Sequence, residues 1–148
     1  MSDAQTGGYA GDVNAIDAWD DLVASPKAAL VDVRTAAEWA YVGIPVLSSI
    51  GKATAMVEWD EFPSGRLVPE FLRRLKAELD KQGVGPNDPI YFICRSGNRS
   101  RQAAIAATAA GFGRAFNVAY GFEGRLDAER HRGTGESWKG AGLPWVQS

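Results

Sequence analysis

The sequence predicts an α/β fold built on an open, mainly parallel sheet with helices on both faces. Three observations carry that expectation. Two compact apolar runs, "ALVDV" (Ala29 to Val33) and "IYFIC" (Ile90 to Cys94), are bounded by turn residues and are too short for helices. Stretches of helical length separate such runs, and strands that alternate with helices pair in parallel through crossovers. The composition, 45% apolar and 23% charged over 148 residues with five tryptophans, is that of one globular domain able to bury roughly two thirds of its unfolded surface.

The elements follow in order along the chain. Residues 1–12 are Gly-rich and polar and are expected to be a loose N-terminal segment, with 13–148 forming a single domain. Asn14 stands at a cap position before a short helix whose apolar face is expected to hold Ile16, Trp19, Leu22 and Val23. The "ALVDV" strand comes next, and then Thr35 with Glu38 three residues on, the pattern of a capping box. Residues 42–65 mix Gly, Pro and Ser, and Ala55 to Trp59 alternates as a strand or extended edge does.

From Val68 to Gly83, Phe71, Leu72, Leu75 and Leu79 recur at helical spacing, with Pro69 near the start and Gly83 as the stop. The "IYFIC" strand precedes a short loop and an alanine-rich helix that ends at Gly111. Ala115 to Gly121 is expected to contain a further strand, followed by a short helix and a Gly-rich tail that carries Trp138 and Trp145. The tail tryptophans are expected to pack against the domain.

Composition also removes whole classes of function. A net charge of −2 offers no basic stripe for nucleic acid or an anionic membrane surface. Cys94 is the only cysteine and His131 the only histidine, so an internal disulfide and a zinc cluster are both excluded, and no cofactor is implied. His131 falls outside every motif and is expected at the surface. With no basic and apolar leader and no run of ~20 apolar residues, the expected compartment is the reducing cytoplasm, where a free thiol persists.

That thiol opens the segment Cys94-Arg95-Ser96-Gly97-Asn98-Arg99-Ser100. In an open parallel sheet ligands bind beyond the carboxyl ends of the strands, which is where Cys94 falls. Residues 95–100 suit a nest of backbone N–H groups, since Gly97 tolerates positive φ and the following helix adds the positive end of its dipole. Such a cradle binds an anion and favours thiolate over thiol, with Arg95 and Arg99 acting in the same sense. An accessible, ionised sulfur is therefore expected, with Ser96 and Ser100 as further donors. A buried cysteine is often only a small hydrophobe. The two arginines, two serines and glycine in the next six positions argue against that here.

With "CRSGNRS" after a short apolar strand and "LVDVRTAAEW" upstream, the chain resembles the rhodanese-like sulfurtransferases from about Val13 to Gly124. Cys94, Gly97, Arg99 and Ser100 match the C-x-x-G-x-R-S loop of that family, and Asp32, Arg34 and Glu38 match its "DVR" element with a Glu four residues later. "NVAYGFEG" (Asn117 to Gly124) is similar to the segment after its last strand, with Tyr120-Gly121 in place of the usual glycine pair. The resemblance implies a five-stranded sheet and a sulfane sulfur carried as a persulfide on Cys94, from a donor such as thiosulfate to a thiol, cyanide or a protein acceptor. It departs from the family's "GHIPGA" segment, having Val42-Gly43-Ile44-Pro45-Val46 and then about a dozen extra residues.

Within that frame Asp32 is expected to bond loop backbone and Arg34 to pair with Glu38. Trp39, Tyr41, Trp59 and Phe62 either line the pocket mouth or fill the core. Two other readings stay open. A cysteine phosphatase or arsenate reductase shares the anion cradle, but its loop places Arg six positions after Cys, where this chain has Ser100. A non-catalytic interaction or redox-sensing module needs no substrate at all.

Overall fold

In the computed structural model, which describes residues 8–147, the two compact apolar runs are neighbouring strands at the middle of the sheet. The strands are β1 (Gly11–Val13), β2 (Ala29–Asp32), β4 (Ala55–Met56), β5 (Ile90–Ile93) and β6 (Ala115–Val118). They are ordered β1-β6-β5-β2-β4, and every pairing is parallel. Two further short strands, β3 (Ile44–Pro45) and β7 (Trp145–Val146), pair antiparallel as a separate ribbon. The helices are α1 (Ala15–Ala24), α2 (Ala36–Val42), α3 (Phe71–Lys81) and α4 (Asn98–Ala109).

Successive strand side chains point to opposite faces, and both faces are covered. Ala29, Val31, Ile90, Phe92 and Cys94 cluster with Phe71, Leu75 and Leu79 of α3 and with the alanines of α4. Leu30, Tyr91 and Ile93 cluster with Ala15, Ala18 and Leu22 of α1 and with Trp138. Cys94 therefore lies on the face that α4 covers. Fully buried leucines such as Leu75 and Leu79 each contribute about 2–3 kcal/mol of transfer free energy. Among the described residues, no helix is long and apolar enough to cross a membrane.

Several expectations need adjustment. The loose segment expected at residues 1–12 falls largely outside the described residues, while Gly11 and Asp12 form an edge strand on β6. The buried stripe of α1 is Ala15, Ala18 and Leu22, and Ile16 and Val23 face solvent. Small alanines let the helix backbone approach the sheet, so the largest apolar residues did not mark the buried face.

The short helix expected after Gly121 is replaced by turns. Gly121 and Gly124 have positive φ, and the amides of Phe122, Glu123 and Gly124 donate to the carbonyls of Cys94 and Arg95 rather than within a helix. Trp138 is fully buried, donates Nε1–H to Pro144 O at 2.8 Å and packs edge-on to Trp19. Trp145 stays partly exposed in the ribbon.

Candidate active site

Cys94 directly follows β5, and the chain must reverse within three residues to enter α4. Gly97 makes that reversal with φ of 110°. A Cβ built there would stand 2.1 Å from the Ala119 carbonyl oxygen, so no other residue fits without moving β6's exit. In this conformation the Gly97 amide donates to Cys94 Sγ at 3.2 Å. Ser100, in the first turn of α4 and fully buried, places its Oγ 3.1 Å from the same sulfur.

Helix α4 begins without a side-chain cap, whereas α1 and α2 are capped by Asn14 and Thr35. The first amides of any α-helix lack intrahelical acceptors and carry the positive end of its dipole. The carbonyls that would oppose this field are engaged elsewhere. Cys94 O accepts from Phe122 N at 2.8 Å, and Arg95 O accepts from Glu123 N at 2.9 Å and Gly124 N at 3.0 Å. "NVAYGFEG" is thus the clamp that holds the loop's backbone.

The sulfur is less open than the sequence suggested: Cys94 is only 1% exposed. Its strand position aims it under α4, and Gly97 and Ser100 close over it. Asn98 points outward and accepts from Arg101, Ser96 is half-buried, and Arg95 is exposed beside the loop.

Arg99 does not stand free to receive an anion. Its guanidinium forks onto Glu38, with Nη1–Oε1 at 2.7 Å and Nη2–Oε2 at 2.9 Å, and lies 3.6 Å from Asp60. Burial alone would raise the Glu38 carboxyl. The hydrogen bonds from Arg99 and from the Thr35 amide overcome that and bring it from its usual 4.5 down to about 2. Arg99 is correspondingly held above its ordinary value, chiefly by Glu38.

The pairing expected between Arg34 and Glu38 is not formed, because Glu38 faces Arg99. Arg34 is buried on Asp32 instead, through Nε–Oδ1 at 2.9 Å and Nη2–Oδ2 at 2.6 Å, and donates to Gly43 O at 2.8 Å. Asp32 Oδ1 also accepts from the Arg34 amide, the backbone role expected of it. Its pair with Arg34 was not foreseen.

A depressed carboxylate stabilises the fold fully above its unfolded value and loses that contribution as pH falls through its folded value. Glu38→Gln is therefore expected to cost about 1–2 kcal/mol at pH 7. The difference should shrink below pH 4.5 and disappear near pH 2, as urea melts across that range will measure.

A cleft of about 730 Å³ opens beside the loop, lined in part by Glu38, Arg95, Arg99 and Arg132, with Tyr41 and Phe62 at its rim. Tyr41 and Phe62 are 80% and 71% exposed, while Trp59 packs edge-on to Phe71 in the core. The segment 42–65 thus supplies Asp60 behind Arg99 and Phe62 at the cleft. A smaller hollow of about 220 Å³ lies at the tail, between Tyr120, Arg125 and Glu136, and holds no residue of the Cys94 loop. His131 is exposed and lines neither.

The family model for the Rhodanese-like domain matches residues 15–127, from α1 past the clamp segment. The chain belongs to the rhodanese-like family. An uncharacterized protein of Rickettsia conorii, RC0915, is 34% identical over 128 residues, covering 86% of this chain and 90% of that one. A chloroplastic protein of rice named thylakoid rhodanese-like is 31% identical over 92% of this chain but only 25% of its own length.

Among solved structures, Rv0390 from M. tuberculosis superposes with a TM-score of 0.83 at 48% identity, over 95% of this chain and 99% of that one. The polysulfide-sulfur transferase homodimer of Wolinella succinogenes shares the fold at TM-score 0.58 and 20% identity, over 98% and 83% of the two chains. The five-stranded parallel sheet with helices on both faces is the predicted fold class.

Sequence reasoning missed Asp60, Asn117 and Asp12 around this site. Asp60 lies in the span without periodicity, and Asn117 and Asp12 reach the sulfur only through side chains that β6 and β1 bring together.

Proposed function

We propose that the protein is a cytoplasmic sulfurtransferase that moves a sulfane sulfur from a small anionic donor such as thiosulfate, through a persulfide on Cys94, to a thiol or cyanide. The observation that supports this best is the pair of polar groups against the chain's only thiol sulfur, the Gly97 amide at 3.2 Å and the Ser100 hydroxyl at 3.1 Å, at the start of a helix with no side-chain cap.

In the first step the Cys94 thiolate attacks the outer sulfur of thiosulfate. A new S–S bond forms, the donor's S–S bond breaks, and sulfite leaves with the electron pair. The terminal persulfide sulfur is then the charged atom, and the field of the loop and of α4 stabilises it. In the second step an acceptor thiolate or cyanide attacks that terminal sulfur, and the Cys94 thiolate returns. One cysteine leaves no resolving thiol within the chain, so the sulfur passes to another molecule.

The cleft is wide relative to thiosulfate, which leaves room for a low-molecular-weight or protein thiol to approach past Tyr41 and Phe62. The short loop speaks against a phosphatase, since Arg99 comes five positions after Cys94 and is occupied by Glu38. A non-catalytic module has one observation in its favour, the 1% exposure of Cys94.

Intact mass before and after thiosulfate decides between these readings, together with thiocyanate release on adding cyanide. A gain of one sulfur atom and turnover to thiocyanate are expected. Absence of both transfers the assignment to the non-catalytic module, and phosphate release from an aryl phosphate transfers it to the phosphatase.

A further inference from the structure

One chain of polar side chains, buried at Ser100 and Asn117 and reaching the surface at Asp12, connects the sulfur to the β1 edge of the sheet and is used by no step above. Ser100 Oγ donates to Asn117 Oδ1 at 2.6 Å and stands 3.1 Å from Cys94 Sγ. Asn117 Nδ2 donates to Asp12 Oδ1 at 3.0 Å, and Tyr9 donates its hydroxyl to the same carboxylate oxygen at 2.9 Å. The chain joins α4, β6 and β1, and Ser100 and Asn117 are 0% and 2% exposed.

A serine hydroxyl has one proton and cannot donate to both neighbours. The Asp12 carboxylate accepts only, so it turns the amide's N–H₂ toward itself and leaves the carbonyl end of Asn117 facing Ser100. Asn117 and the sulfur therefore compete for one proton. While Cys94 is a thiolate the charge sits on Sγ and attracts the Ser100 proton. Once the persulfide forms, Sγ is a neutral bridging atom, the charge has moved outward, and the proton returns to Asn117.

We propose that Asn117, oriented by Asp12, is a positioning residue that acts through Ser100 to set how strongly the sulfur is stabilised as a thiolate. It makes the free thiolate less comfortable than the loaded enzyme, so it favours sulfur uptake without touching substrate. This rests on the sulfur-transfer reading for its purpose, but its test needs no sulfur donor.

Asp12 is exposed on an edge strand, so Asp12→Asn keeps the fold. It removes the charge that selects the amide orientation, and N–H₂ of Asn117 can then face Ser100. The hydroxyl proton is released to the sulfur. Iodoacetamide alkylation of Cys94, followed by mass across pH 5–10, is expected to be about threefold faster in Asp12→Asn than in the parent on the acidic limb, with the profile moved to lower pH. Asn117→Asp, which binds the hydroxyl proton permanently and adds negative charge, is expected to slow alkylation about tenfold on that limb and move the profile upward.

The charged groups around the sulfur and its polar chain are Arg99 with its partners Glu38 and Asp60, Arg95 in the loop, Asp12 at the end of the chain and Arg101 near the Tyr9 phenol, which is itself neutral. A direct field effect of Asp12 must be separated from the relay. Ser100→Ala does this, because it cuts the relay and leaves every one of those charges in place. The Asp12→Asn acceleration is expected to vanish in the Ser100→Ala background. An equal acceleration in both backgrounds, or none in either, overturns the proposal. Loss of sulfur loading with these profiles intact would instead overturn the function and leave the relay standing.

Discussion

Cys94→Ser is expected to take up no sulfur from thiosulfate and to lower thiocyanate formation by at least about a thousandfold, to the uncatalysed background. The chain holds no second cysteine to substitute for it. A serine hydroxyl in the same place keeps its proton at neutral pH, so the field of α4 has no anion to stabilise before the donor arrives. The variant should fold, because oxygen replaces sulfur within contact of the Gly97 amide and Ser100, groups that bond a hydroxyl equally well. A far-ultraviolet spectrum like the parent's would separate lost chemistry from lost structure.

Arg99→Ala should differ in kind. Its charge is shared with Glu38 and Asp60, so slower loading is expected rather than none. Equal loading of the parent and Cys94→Ser would put the sulfur elsewhere and end the catalytic reading.

The parts of this fold that depend on local pattern were legible. "ALVDV" and "IYFIC" are strands because compact apolar runs between turn residues have few other solutions, and Thr35 with Glu38 forms the capping box its spacing announces. Gly97 and Cys94 were legible for a related reason, since a glycine three residues after a strand-end cysteine suits a tight turn into a helix. Pairing between charged side chains was not. Glu38 had two arginines within reach of its motif, and the choice of Arg99 over Arg34 is made by where β5 and α4 sit relative to α2, which no spacing encodes. The same holds for Asn117 and Asp12, 105 residues apart in sequence and joined only by the parallel pairing of β1 with β6. Gly121 and Gly124 misled in the opposite sense. They punctuate a segment whose amides serve the Cys94 loop, and a short helix was expected where a clamp is found.

Arg34→Met is expected to destabilise the protein by about 3–5 kcal/mol, roughly a fifth or more of the 5–15 kcal/mol that holds a typical domain together. Arg34 and Asp32 are both 0% exposed, and their two-point contact neutralises a carboxylate that has no access to water. Methionine fills much of the volume but leaves Asp32 charged and buried, and it also abandons the Gly43 carbonyl and the face of the Phe122 ring, 4.3 Å from the guanidinium carbon. Those contacts join the end of β2, the exit of α2 and the clamp segment. Their loss should therefore loosen the Cys94 loop, and sulfur loading should fall together with stability.

Removing both charges separates the two contributions. Asp32→Asn with Arg34→Met takes away the orphaned carboxylate and should recover about half or more of the lost stability, because the cost lies in an unpaired buried charge rather than in the absence of a pair. Loading should not recover to the same extent, since the Gly43 and Phe122 contacts stay broken. Urea melts of the parent and the single and double variants measure the first claim, and the mass gained from thiosulfate measures the second. A single variant as stable as the parent would mean that water reaches Asp32 and that the buried pair does not brace the site.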